Sequence, residues 1–111
     1  MLRIDSLRLA AVAVVGLALP LAACSGNPEI LAAFLRADGV TIEFSVATCN
    51  ADLTAAVVES DTTVEVTITA ENDTTDDCAD AIAVTLDAPL GDRQLINAAS
   101  GRVLDVEPAE D

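Results

Sequence analysis

Hydrophobic and polar side chains alternate along most of the chain after residue 39. Val40, Ile42, Phe44 and Val46 alternate with polar or small residues, so a strand here would have one apolar face and one solvated face. Residues 64–69 show the same alternation and are rich in the β-branched types that favour strands. Further strands are predicted for residues 55–60, 81–86, 94–97 and 102–106.

Turn-forming residues separate these segments. They are Ala37-Asp38-Gly39, Asp61-Thr62-Thr63, the polar stretch 72–80, Pro89-Leu90-Gly91-Asp92 and Ser100-Gly101. Six or seven short strands with turns at near-regular spacing predict an all-β fold, a small antiparallel β-sandwich or open barrel. The segments 94–97 and 102–106 are expected to form the final hairpin.

Residues 30–36 allow two interpretations. Asn27-Pro28-Glu29 could cap and start a helix, because proline suits the first helical position. Asp38-Gly39 lies between two strand-length segments, and glycine tolerates the positive φ of a tight turn. We favour the strand and hairpin over the helix.

The first 23 residues have the pattern of a targeting segment. Arg3 and Arg8 supply positive charge, and an apolar segment from Leu9 to Leu21 follows, interrupted only by Gly16 and Pro20. A membrane-spanning helix needs roughly 20 apolar residues, so this segment is predicted to be a signal-peptide core.

The segment ends in Leu21-Ala22-Ala23-Cys24, which resembles the lipobox of bacterial lipoproteins. That resemblance implies cleavage before Cys24, a diacylglyceryl group on its thiol and attachment to the extracytoplasmic face of a cell membrane. The expected organisation is a signal peptide over residues 1–23, a lipidated tether over 24–29, a β domain over 30–106 and a disordered tail over 107–111.

Without that leader the chain is strongly acidic. The full chain contains 19 acidic and five basic residues and no histidine, and the leader holds only Asp5 of the acids but two of the arginines. Such a surface repels nucleic-acid phosphates and anionic lipid headgroups, so no nucleic-acid partner is expected. Solubility explains the charge; a docking face for a basic partner or for cations is the alternative.

The three cysteines separate into one lipid acceptor and one pair. Cys24 is assigned to the lipid, which leaves Cys49 and Cys78 in an exported, oxidising compartment. A disulfide is predicted between them, and it matters because the expected domain has only Phe34 and Phe44 as aromatic side chains. A redox-active pair would need a Cys-x-x-Cys spacing or an adjacent cation, and neither is present.

The segments around Cys49, Val64-Glu65-Val66-Thr67-Ile68, Asp77-Cys78-Ala79-Asp80 and Pro89-Leu90-Gly91-Asp92-Arg93 resemble a group of small secreted or lipid-anchored domains of actinobacterial type. The run of Pro-Leu-Gly-Asp-Arg is the most distinctive part. The resemblance covers nearly all of the expected mature chain, and it implies compartment and fold but no activity.

Candidate chemistry is sparse. The chain has no His, Tyr or Trp, so a hydroxyl nucleophile lacks an imidazole partner, and imidazole or free thiolate ligands for zinc or copper are missing. No enzyme activity and no cofactor are expected. Calcium takes oxygen ligands, and a weak site at Asp73, Asp76, Asp77 and Asp80 is an alternative, although the spacing is not that of an EF-hand.

Arg93 is expected to pair with a neighbouring carboxylate and to fix the turn at Pro89. A ligand-binding role for Arg93 and Asp92 is the alternative. The sequence therefore predicts a lipid-anchored, non-enzymatic envelope protein, a binding or accessory module for an unidentified envelope partner. A surface-coating protein without a specific ligand, or a weak calcium binder, are the alternatives.

Overall fold

The computed structural model describes residues 25–110, which fold into nine β-strands. Helices are absent from this part of the chain. The strands are β1 (Ser25–Gly26), β2 (Ile30–Leu35), β3 (Thr41–Val46), β4 (Asp52–Glu59), β5 (Thr63–Glu71), β6 (Asp80–Thr85), β7 (Gln94–Asn97), β8 (Arg102–Leu104) and β9 (Val106–Pro108).

The strands form two sheets. In the first, β4 pairs antiparallel with β5 along its whole length. The other side of β5 is shared by β7, parallel at residues 63–66, and by β1, antiparallel at residues 70–71. β8 pairs with β7. The second sheet has the order β6-β3-β2-β9.

One hydrophobic core lies between the sheets. Phe44 is completely buried at the centre of β3, and Val64, Val66 and Ile68 face it from β5. Leu90, from the connection between β6 and β7, also packs into this core. The sheets therefore form a sandwich, in which alternate residues of β3 and β5 are buried, as the period of two requires.

The connections gather at two ends of the sandwich. The register places β1 and the connections 47–51 and 72–79 at one end, which we call the disulfide end. Connections 36–40, 60–62 and 86–93 lie at the opposite end, which we call the loop end.

The all-β fold predicted from the alternation is confirmed, and residues 30–35 form a strand, not a helix. The Gly39 N–H donates to the Arg36 carbonyl, and Gly39 has a φ of 76°. Asp38 stabilises the turn by accepting hydrogen bonds from the N–H groups of Val40 and Thr41, both at 2.9 Å. The turn predicted from Asp38-Gly39 is therefore present, with the glycine at the positive φ that a tight turn requires.

Three features differ from the prediction. Both sheets are mixed, because β2 pairs parallel with β9 and β5 pairs parallel with β7. Ser25–Gly26, expected in the tether, pairs with β5 because β7 leaves that part of its edge open. Residues 107 and 108, expected in the tail, belong to β9 and pair with Phe34 and Leu35.

Candidate functional site

The predicted disulfide between Cys49 and Cys78 is confirmed. It joins the β3–β4 connection to the β5–β6 connection across a sequence separation of 29, with the two Cα atoms 5.2 Å apart. Both connections cross from one sheet to the other, so the bond fixes the disulfide end of the sandwich. Cys24, the predicted lipid acceptor, lies outside the described residues.

Asp80, the first residue of β6, is joined to the β3–β4 connection without a covalent bond. Its carboxylate accepts hydrogen bonds from the hydroxyl of buried Thr48 at 2.7 Å and from the N–H groups of Asn50 and Ala51 at 3.1 Å. Asn50 has a φ of 56°, in the left-handed region, so these bonds hold a backbone that has a conformational cost. The Thr48 hydroxyl, followed by the Ala51 N–H, lowers the pKa of Asp80 below its ordinary value.

We expect Asp80→Asn to lower the melting temperature by roughly 5 °C at about pH 7, because the amide nitrogen cannot accept these bonds. A carboxylate whose pKa is lowered by folding stabilises the folded state at pH values above the pKa that it has in the unfolded chain. The contribution of Asp80 is therefore lost as the pH falls below the ordinary pKa of 3.8. The difference in melting temperature between the parent protein and Asp80→Asn should narrow in that range. Thermal unfolding followed by circular dichroism between pH 7 and about pH 2.5 measures this narrowing.

Asp77→Asn is the matched control, because Asp77 is exposed and no hydrogen bond reaches its carboxylate from the described residues. It should unfold like the parent protein at every pH. Equal destabilisation by both substitutions would contradict the assigned role of Asp80.

Two of the four aspartates proposed for calcium, Asp73 and Asp80, accept hydrogen bonds from the backbone. Asp73 accepts hydrogen bonds from the N–H groups of Cys49 and Thr75, both at 2.9 Å, and Asp80 is occupied as described above. Within residues 25–110, no group of three or more acidic or cysteine side chains is arranged to hold a metal ion. The carboxylates of Asp73 and Asp80 hold the backbone of the disulfide end.

Arg93 organises the loop end. Its guanidinium donates to the carbonyls of Ser60, Ala88, Pro89 and Leu90 at distances of 2.9 to 3.3 Å. These carbonyls belong to two different connections, 60–62 and 86–93. Only 13% of the Arg93 side chain is exposed, so it joins the two connections from a largely buried position.

The predicted carboxylate partner of Arg93 is Glu59, at the end of β4. Its Oε1 lies 3.2 Å from Nη2 of Arg93, and its Oε2 accepts the N–H of Asp87 at 2.7 Å. The Asp87 N–H, and then Arg93, lower the pKa of Glu59. Asp92, the other candidate, is exposed and has no hydrogen bond or ion pair with the described residues. A ligand-binding role for Arg93 or Asp92 stays a prediction.

A third connection joins this assembly through backbone bonds. The N–H groups of Leu86 and Leu90 donate to the carbonyls of Val40 and Gly39, at 2.8 and 3.0 Å. The three connections at the loop end are therefore one hydrogen-bonded unit. Chemically, this unit can offer a surface of fixed shape with exposed carboxylates at Asp61, Asp87 and Asp92.

An open groove of about 540 Å³ lies beside β1 at the disulfide end. It is lined by Gly26, Asn27, Pro28, Thr48, Ala70, Asn72 and Asp73. The Asn27 side chain fixes this wall by donating to the Ile68 carbonyl at 3.0 Å. Sequence reasoning missed the groove, because β1 has no periodic pattern that would mark it as a strand.

Comparisons with protein-family models, with curated proteins and with solved structures found no match for this chain. The resemblance to actinobacterial lipoproteins therefore stays a prediction. Within residues 25–110 there is no helix with the length and apolar character needed to cross a membrane.

Proposed function

We propose that this chain is a lipid-anchored, non-enzymatic binding or accessory module on the extracytoplasmic face of a cell membrane. The observation that carries the proposal is the sequence Leu21-Ala22-Ala23-Cys24 after a charged and then apolar leader. Two acyl chains on Cys24 would give stable attachment, whereas one chain gives only marginal binding.

The fold that follows Cys24 supports this assignment. β1 begins at Ser25 and is fixed to β5 by pairing with Glu71 and Ala70. A lipid on residue 24 would therefore be attached at the disulfide end, with no long tether. The loop end would face away from the membrane, on the order of 25 Å along β5 from the anchor.

The disulfide supports export. A bond between Cys49 and Cys78 persists in oxidising compartments and is rare where glutathione keeps thiols reduced. The hydrogen-bonded connections of the loop end support a binding role, because loops held in one shape lose little conformational entropy when a partner docks. The partner in this proposal is another envelope component.

Mass spectrometry of the protein extracted from membranes tests the anchor. We expect an N-terminal peptide that begins at residue 24 and carries diacylglycerol, and we expect Cys24→Ser to abolish the modification and the membrane attachment. The double variant Cys49→Ser/Cys78→Ser is the control and should still be lipidated. An unmodified residue 24, or cleavage at another position, would overturn the proposal.

A further inference from the structure

β4 is an edge strand with an unoccupied side. It pairs with β5 along eight residues without a bulge, from Asp52↔Glu71 to Glu59↔Val64. No strand among the described residues is hydrogen-bonded to its other side. β4 contacts β6, the neighbouring edge of the second sheet, but does not pair with it.

The alternation of an antiparallel pair identifies which groups of β4 are free. The Ser60 N–H donates to the Thr63 carbonyl at 2.8 Å, so Ser60 and Thr63 are a hydrogen-bonded pair. Counting back along the hairpin, every second residue points its N–H and C=O away from β5. These residues are Leu53, Ala55, Val57 and Glu59.

The opposite flank of the sandwich is protected in ways that β4 is not. β8 and β9 have three residues each, with Arg102 in the first and Glu107 and Pro108 in the second. Short strands, charges and proline are the usual means by which proteins prevent edge pairing. β4 carries no charge and no proline between Asp52 and Glu59, and it is longer than the six-residue β6.

The outer surface beside this edge is apolar in part. Val58 is 66% exposed, which is the highest value among the exposed large hydrophobic residues of the described chain. Ala56, on the same face of β4, is also exposed. An added strand would cover these side chains while it satisfies the free backbone groups. Both effects favour strand addition.

We infer that the free edge of β4 accepts an extended, net-positive segment of another protein as an added β-strand. Charge selects this occupant. Asp52 begins the strand, and exposed Glu65 and Glu71 lie on the adjacent β5, opposite Val58 and Asp52. Lysine or arginine at the ends of an incoming segment would meet these carboxylates.

A second copy of this chain fits the same edge less well. Antiparallel pairing of two β4 strands would bring two strongly acidic chains together. They would repel each other, since each full chain carries a net charge of −14. The inference rests on the proposed function only for the compartment of the partner; edge pairing itself depends on β4 alone.

Hydrogen exchange of the mature protein with a synthetic peptide, Lys-Thr-Val-Thr-Val-Thr-Val-Lys, tests the inference. We expect the amides of Leu53, Ala55 and Val57 to exchange at least tenfold more slowly when the peptide is saturating. The same peptide with N-methyl groups on the alternate residues that face β4 should give no protection. Unchanged exchange with both peptides, or protection confined to other strands, would overturn the inference.

A pair of matched variants tests where the peptide binds. Val58→Lys places a positive charge beside the edge and should raise the Kd for the cationic peptide about tenfold or more. Val103→Lys is the control on β8, where the parent valine is 51% exposed, and should leave the Kd unchanged. Equal effects of the two variants would contradict binding at β4.

The remaining outcomes also decide the question. Replacing both peptide lysines by glutamate should abolish protection, because Asp52, Glu65 and Glu71 would repel the acidic peptide. Sedimentation should find the protein monomeric; a dimer whose β4 amides are protected would overturn the choice of partner. Failure of these tests leaves lipidation of Cys24 untouched, so it is distinguishable from failure of the proposed function.

Discussion

Replacing Cys49 and Cys78 together by alanine should cost about 3 to 4 kcal/mol of unfolding free energy, the largest effect that we expect from any substitution in the β domain. The physical reason is the loop that the bond closes, since a sequence separation of 29 restricts the unfolded chain. In a domain of this size the loss corresponds to a decrease in melting temperature of roughly 15 °C or more. Thermal unfolding of the two proteins, with the parent kept oxidised, measures it.

The location of the bond adds a second expectation. Asp73 is hydrogen-bonded across the same two connections, and Asp80 joins the start of β6 to the β3–β4 connection. The disulfide end should therefore keep its fold in the absence of the bond. The double variant should therefore remain a cooperative, fully β protein at about 20 °C. Loss of less than about 1 kcal/mol would contradict the chain-entropy argument for this loop.

Strand positions were predictable because the signal is local. Alternation along β3 and β5 determines which residues face the core, and the Asp38-Gly39 turn marks where the chain reverses. The partner of each strand is not a local property. Nothing in residues 94–97 indicates that β7 pairs parallel with β5, so the sequence predicted strands and faces but only antiparallel neighbours.

β1 and β9 escaped prediction for a related reason. They have two and three residues, too few for a period to be visible. Each is a strand only because a longer strand leaves an edge open beside it, at Ala70 and Glu71 for β1 and at Ala33–Leu35 for β9. Tertiary context alone determines such elements.

The site residues divide in the same way. That Arg93 would pair with a carboxylate followed from its being one of so few cations, but the choice of Glu59 could not, because the two are 34 residues apart. The Asp80 bond to Thr48 spans 32 residues. Composition identified Asp80 as an oxygen donor, and only the fold distinguishes a cation ligand from an acceptor of backbone hydrogen bonds.

Arg93→Met should destabilise the protein by about 2 kcal/mol, because the carbonyls of Ser60 and the 88–90 segment lose a charged donor in a largely buried position. The expected decrease in melting temperature is roughly 10 °C. Arg93→Lys should recover little of this, since an ammonium group cannot reproduce the planar array of donors that reaches two loops.

Arg102→Met is the matched control, because Arg102 is exposed and its side chain has no hydrogen bond or ion pair with the described residues. It should change the melting temperature by less than about 2 °C. Hydrogen exchange gives the second readout: Arg93→Met should speed exchange of the Asp87 and Gln94 amides at the loop end and leave those of Cys49 and Ala51 unchanged. Each end of the sandwich has its own set of hydrogen bonds, so a uniform increase in exchange rate at both ends would contradict the independence of the two ends. Unchanged stability with loss of partner binding would make Arg93 a contact residue instead.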